Sequence, residues 1–358
     1  MQHTCPHFVV TRLALGIYDE ERLNKLVDLF EAVTLPSLIN QTSNDFIWLV
    51  SIDSNFPDPV KSRIDQLLSP HPNFFLIPID VTELMNVRLA CFDWVWDQYQ
   101  DFILENNLLI DPHDYVITSV LDADDAWHRD VVSTVNKLAV DRLPSLSEAN
   151  EMRGTWLRHS SGLAITFPNG YAWFISDGKI WPLKEEFRSM AVFVAARFAS
   201  GISACSCRHT KWRQYAEILE FEVITHTHKE PMWIYTRHDE AVGHSDSKQA
   251  MPMPTSFEDR LGKTFGIDIT KAKSWCTQYP SRHPSRPRGE MKFNQHAAVQ
   301  FDLFFRIAGL NRKMRALKRR NATDHAGRIA DQLKHCEADR KRLVALLRCG
   351  RADGESSP

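Results

Sequence analysis

The stretch Asp114-Tyr-Val-Ile-Thr-Ser-Val-Leu-Asp-Ala-Asp-Asp-Ala-Trp-His-Arg-Asp130 decides how this chain is read. Residues 115–121 are mostly apolar or β-branched on both alternating faces, over the length of one strand, with Pro112-His113-Asp114 ahead of them. A strand apolar on both faces is buried on both sides, as in the middle of an α/β sheet. Ligands of such sheets sit beyond the carboxyl ends of the strands, and there the sequence places Asp122, Asp124 and Asp125. Carboxylates this close repel one another, and a hard divalent cation neutralises them. Mg²⁺ or Mn²⁺ is typically held by one or two carboxylates together with substrate phosphates. The stretch therefore predicts a metal-bound diphosphate. The competing reading makes Asp124 or Asp125 the N-cap of a helix starting near Trp127, a common use of Asp.

Upstream, strand and helix signals alternate. Residues 8–12 read as a first strand, and Leu23, Leu26, Val27, Phe30 and Val33 recur at helical spacing after Asp19-Glu20-Glu21. A second strand over 46–52 ends at Asp53, a short helix covers 60–68, and a third strand covers 74–79. A further helix carries Leu89, Phe92, Val95 and Trp96 on one side, with Arg88 near its start. This alternation predicts a mixed, mostly parallel sheet flanked by helices, with right-handed crossovers.

Downstream the regularity weakens. Residues 131–140 read as a helix and 141–157 as a polar loop. Residues 162–167 and 171–175, around Pro168-Asn169-Gly170, read as a hairpin, with a turn at Ser176-Asp177-Gly178-Lys179 and a short strand at 180–182. The apolar run 191–202 fits either a strand or a helix. Strands are expected over 221–225 and 232–236, the latter just before Arg237-His238-Asp239. The organisation expected is one α/β domain over 1–276, an irregular basic linker over 277–300 rich in Pro and Arg, and a basic amphipathic helical tail over 301–358. In the tail, Leu303, Ile307, Leu310, Met314 and Leu317 recur at helical spacing. Residues 311–350 carry 12 Lys/Arg against four acids, a net +8, although the whole chain is −2. Such a helix docks on its own domain, dimerises, or lies on an anionic membrane surface.

The overall charge argues against general polyanion binding, and the +8 region 311–350 lacks aromatics, so nucleic acid is not an expected partner. Seven scattered cysteines form no disulfide framework and fit a reducing, cytoplasmic setting. Cys205-Ser-Cys207-Arg-His209 has no second Cys pair at zinc spacing nearby. The first residues lack a signal-peptide pattern, and no apolar run reaches the length of a membrane span. The chain is expected in the cytoplasm, at most peripheral to the inner face of the cell membrane.

These residues resemble the glycosyltransferase A-type fold and, more narrowly, a bacterial family of rhamnosyltransferases. The resemblance covers roughly residues 8–260. It rests on Thr11-Arg12, Leu29-Phe30-Glu31, Thr34-Leu35-Pro36-Ser37-Leu38 with Gln41, Phe46-Ile47-Trp48 leading to Asp53, Arg88, Leu121-Asp-Ala-Asp-Asp125, and Pro231-Met232-Trp233 before His238. It implies a nucleoside-diphosphate sugar as donor and a hydroxyl of a surface-polysaccharide, glycan or lipid-linked acceptor. It further implies that Asp122 and Asp124 contact the metal or the donor ribose, Asp125 lies on the donor-sugar side, and Asp53 lies near the base. Thr11, Arg12 and Arg88 would bind the donor, the two Arg flanking the diphosphate with paired N–H donors. His238 is implied as a late metal ligand, with His226 and His228, on one face of a strand, as secondary candidates. No carboxylate stands out as the base that takes the acceptor's proton; Asp177, Glu185, Glu186, Glu217 and Asp239 are all candidates, so inverting and retaining chemistry both stay open. Two other readings remain: a phosphotransferase using Asp122 as nucleophile, and a non-catalytic scaffold assembling through the tail.

Overall fold

The computed structural model describes residues 5–15, 17, 19–79, 92–109, 115–152, 162–206, 209–238 and 250–279. Arg88, Asp239, residues 280–300 of the expected linker and the expected tail lie outside these residues; the first two positions of the expected irregular linker, 277 and 278, instead end a helix.

The first half alternates as its hydrophobic pattern predicts. β1 (His7–Arg12), α1 (Glu20–Ala32), α2 (Thr34–Ile39), β2 (Ile47–Asp53), α3 (Asp58–Leu68), β3 (Phe74–Ile79), α4 (Phe92–Glu105) and β4 (Tyr115–Val120) follow in order. α1 begins where the Asp19 carboxylate accepts from the Arg22 N–H at 2.8 Å, with Glu20 and Glu21 favourable at the positive end of the helix dipole. Its Leu23, Val27 and Phe30, at spacings of four and three, are fully buried.

The second half departs from the expectation. β5 (Ala126–Trp127), α5 (Val131–Met152), β6 (Leu163–Thr166), β7 (Asn169–Phe174), β8 (Lys179–Lys184) and β9 (Val192–Arg197) come next. They are followed by α6 (Trp212–Ile218), β10 (Glu222–Thr225), β11 (Trp233–Arg237), β12 (Met251–Pro252), α7 (Thr255–Phe265) and α8 (Ile269–Gln278). The helix after Asp130 runs on to Met152, through residues expected as a loop. The expected hairpin is absent. β6 pairs with β9 and β10, whereas β7 pairs with β8 and β11, so Pro168 marks the passage of the chain from one sheet to the other. Two apolar runs joined by a turn signal predict local pairing, but β6 takes nonlocal partners, while β7 pairs locally across the following turn with β8 and nonlocally with β11. The ambiguous run 191–202 opens with strand β9.

The larger sheet has the order β10-β6-β9-β4-β1-β2-β3. β4, β1, β2 and β3 are parallel, and β9 is the antiparallel strand between β4 and β6. The mixed, mostly parallel sheet flanked by helices is therefore present. α1, α3 and α5 cover one face through a core including Phe30, Trp48, Ile64, Val135 and Phe193. α4 and α6 cover the other through Trp96, Tyr99, Ile103 and Trp212. The smaller sheet, β12-β8-β7-β11-β5, shares a third core with α1, α7 and α8, built on Leu29, Trp173, Ile234, Phe265 and Trp275. α7 stops at Gly266, whose φ of +71° is left-handed and whose Cβ, if present, would stand 2.5 Å from the Pro36 carbonyl.

Candidate active site

The site forms where β4 delivers its acidic loop beside the ends of β1 and β11. Thr11 fixes this junction. Its hydroxyl donates to the Leu121 carbonyl at 2.8 Å and accepts from the Trp48 indole N–H at 2.9 Å. Thr11 is fully buried and stands behind the wall, so the expectation that it contacts a donor is replaced by a positioning role. The next residue, Arg12, reaches the surface, its guanidinium 3.6 Å from an Asp122 oxygen with both side chains about one-third exposed.

The three acids of the loop part company. Asp122 faces Arg12. Asp124, 26% exposed, lies against His238, its Oδ2 2.8 Å from Nε2. Asp125 turns inward, fully buried, and accepts the Thr236 backbone N–H at 2.8 Å, which ties β11 to the loop. Its second oxygen has no hydrogen-bond partner among the described residues. Burial first, then the charges of Asp124 and Asp122, push its carboxyl well above the ordinary carboxylate range. The position implied for Asp125 beside the donor sugar is thus corrected: a carboxyl enclosed against a strand anchors that strand.

His238 is also enclosed. Its side chain is 1% exposed, its ring lies edge-on to Trp275 at 5.7 Å, and its Nδ1 has no partner among the described residues. Hydrogen bonding to Asp124 makes it an orienter of that carboxylate. Among the described residues no three His, Cys, Asp or Glu converge as a metal cage, so Asp122, Asp124 and His238 do not form the ligand trio expected. Arg12 draws Asp122 to one side and His238 draws Asp124 to the other. The site still suits Mg²⁺ or Mn²⁺, which need only one or two carboxylates when phosphate oxygens and water complete the shell. The partnerless oxygen of Asp125 and its crowding by two further acids are what an added cation would relieve.

β11 supplies a wall that the sequence reading missed. Ile234 belongs to the core against α1 and α8, while Trp233 belongs to the core of the larger sheet. Tyr235 and Arg237 share the parity of Trp233 and stand further along the same face. The Arg237 guanidinium donates to the Tyr235 hydroxyl at 2.6 Å and lies 4.7 Å from its ring centroid. Arg188 lies 4.2 Å from the same centroid, held through one nitrogen by both oxygens of Glu185 at 2.9 and 2.8 Å. Burial raises the Tyr235 phenol; Asp125 and Asp122 push it the same way, whereas Arg237 and Arg188 oppose them. The available signal for Arg237 was its place directly after the strand expected over 232–236, two residues from Tyr235 and so on the same face. Nothing local marked Arg188.

The other expected residues lie apart. Asp53, fully buried at the end of β2, accepts from the Asn55 N–H at 2.9 Å and its side-chain amide at 3.2 Å. Asp177 is exposed on the β7–β8 turn and Glu217 is exposed on α6, while Glu186 pairs with Arg213. His226 and His228 follow β10 in a loop instead of sharing a strand face. His226 packs on Phe167, and His228 lies beside His128. Neither reaches the acidic loop.

The family described as "Putative rhamnosyl transferase" matches residues 10–254, from Thr11 and Arg12 through the acidic loop to β11. The chain belongs to that family. Membership makes it a glycosyltransferase and places the acidic loop, Arg12 and Arg237 within the matched region. Among solved structures, one titled a putative nucleotide-diphospho-sugar transferase, from Desulfovibrio desulfuricans G20, superposes with a TM-score of 0.34 at 10% identity. The match covers 78% of this chain and 99% of that one, a likeness too slight to carry an argument. No curated protein matches the chain.

Proposed function

We propose that the protein transfers a sugar, rhamnose in keeping with its family's description, from a nucleoside-diphosphate donor to a hydroxyl of a glycan or lipid-linked acceptor. The observation that carries this reading is the divergent pair Asp122 and Asp124. Both are partly exposed at the carboxyl end of the central strand, one oriented by Arg12 and the other by His238. Asp122 and Asp124 would hold Mn²⁺ or Mg²⁺, which when bound offsets negative charge developing on the departing diphosphate. Arg12 offers a guanidinium to phosphate oxygens on the same side. Thr11 and Asp125 keep the loop in register, one through Leu121 and the other through Thr236.

The test is thermal stability of the whole protein with UDP, GDP, dTDP or CDP, each with and without Mn²⁺. A ligand at a hundred times its dissociation constant stabilises the folded state by ~2.7 kcal/mol. One nucleotide should raise the melting temperature only with the metal, and Asp124→Asn should remove the effect. No metal-dependent shift with any nucleotide would overturn the proposal. Contact of the basic tail with membrane, one of the three roles open to it, is tested by co-sedimentation with anionic vesicles at low salt, where no binding would refute it.

No helix among the described residues is long and apolar enough to cross a membrane.

A further inference from the structure

We propose that Trp275 is a positioning residue of the active site, fixing the His238 imidazole and, through it, the Asp124 carboxylate. The family's matched region stops at residue 254, just before α7 and α8, so membership alone assigns these helices no part in the site. They nevertheless hold both strands that flank the acidic loop. Ala126 of β5 and Ile234 of β11, opposite one another in the pairing, share a core with Leu261, Phe265 and Trp275. The Thr264 carbonyl, near the end of α7, accepts the Arg129 N–H at 2.9 Å, just past β5. α8 then places the buried Trp275 ring 5.7 Å from the His238 ring, at an interplanar angle of 81°.

His238 itself needs such a support. An ionised carboxylate only accepts, so the imidazole donates through Nε2 to Asp124, and its Nδ1 has no partner among the described residues. One hydrogen bond leaves a ring free to tilt about it, and without a polar restraint at Nδ1 the orientation falls to packing. Perpendicular aromatic rings at this separation attract edge to face. Trp275 is in turn anchored from α1: its indole N–H donates to the Lys25 carbonyl at 2.7 Å, and the Lys25 ammonium stands 5.4 Å from its ring centroid. The Tyr279 ring, 5.8 Å away, backs it. α1 therefore sets Trp275, Trp275 sets His238, and His238 sets Asp124. What this does for metal and donor binding rests on the function proposed above; the fixing of the ring does not.

Two measurements on the full chain separate them. The first is the NMR signal of the His238 Nε2–H in protein labelled with ¹⁵N-histidine, assigned by its loss in His238→Ala. The wild type should show it protected from exchange with water, and Trp275→Leu should broaden it away. Ile64→Ala, a cavity in the core under α3, should keep it. If Trp275→Leu does not fold, Trp275→Phe, whose ring lacks the tie to Lys25, takes its place under the same criteria. No protected signal in the wild type, an unchanged signal in the Trp275 variant, or an equal loss in Ile64→Ala overturns the proposal. The second is the Mn²⁺ concentration that half-saturates stabilisation by the nucleoside diphosphate the wild type binds. It should rise about tenfold in Trp275→Leu. Adding Trp275→Leu to His238→Ala should raise it no further, because Trp275 acts through His238. Additive losses overturn the positioning role. If no nucleotide stabilises the wild type while the His238 signal behaves as expected, the donor reading fails and the fixing of His238 by Trp275 stands.

Discussion

Protonation of one buried histidine should set much of the acid sensitivity of this fold. His7 opens β1 and is almost completely buried, its Nδ1 2.9 Å from the Asn136 Oδ1 and its Nε2 2.9 Å from the Ser119 hydroxyl. The Asn136 carbonyl assigns the proton to Nδ1, so Ser119 donates to Nε2. Burial lowers its pKa from 6.5 to about 4, with the Asn136 hydrogen bond opposing the shift. The sign follows from which state takes the proton first. Above pH 6.5 both states are neutral and His7 contributes no pH dependence. As the pH falls, the unfolded chain gains a proton that the folded chain refuses, so stability drops until about pH 4, where both are charged. A gap of about 2.5 pH units at ~1.4 kcal/mol each gives ~3.5 kcal/mol in all, with ~2 kcal/mol already lost at about pH 5. The assay is urea unfolding of wild type and His7→Asn between about pH 7.5 and 4.5. The packing cost of the variant does not depend on pH, and His128 and His226, whose pKa values burial also lowers, titrate in both proteins. The wild-type curve should therefore fall toward that of the variant on acidification. Parallel curves would refute the reasoning.

Other substitutions test the junctions around the site. Thr11→Val removes the acceptor of the Trp48 indole and the donor to Leu121, leaving two buried groups unpaired. It should cost ~2 kcal/mol in urea unfolding, whereas Thr11→Ser should restore most of it. Gly170→Ala would drive a methyl into the Trp233 indole, and ~3 kcal/mol of overpacking, or a chain recovered insoluble, is expected. Gly266→Ala faces both a left-handed φ and the Pro36 carbonyl, so a melting temperature lowered by several degrees is predicted. His238→Ala should weaken Mn²⁺-dependent nucleotide stabilisation without abolishing it, because Asp124 keeps its charge and loses only its orienter; complete loss would make His238 a ligand.

The sequence by itself determined the first sheet up to β4 and the position of its acidic loop. The periods involved are local: alternation and helical spacing within each segment report which face is buried, and the carboxyl end of a central strand follows from that. Only the family resemblance put Arg12 with Asp122 and Asp124; that β1 lies beside β4, so that both end at the same edge, was decided by the fold. Tertiary structure decided what each acid does. Asp122, Asp124 and Asp125 are almost adjacent in the chain, yet one faces Arg12, one His238 and one the Thr236 amide, because β11 returns from far along the chain to pair with β5. It likewise separated β6 from β7, put His238 against Trp275, and brought Arg188 to Tyr235. A local pattern encodes how strongly a segment must be buried. Which distant strand buries it, and which charges that pairing brings together, depends on complementary faces that only the folded chain compares.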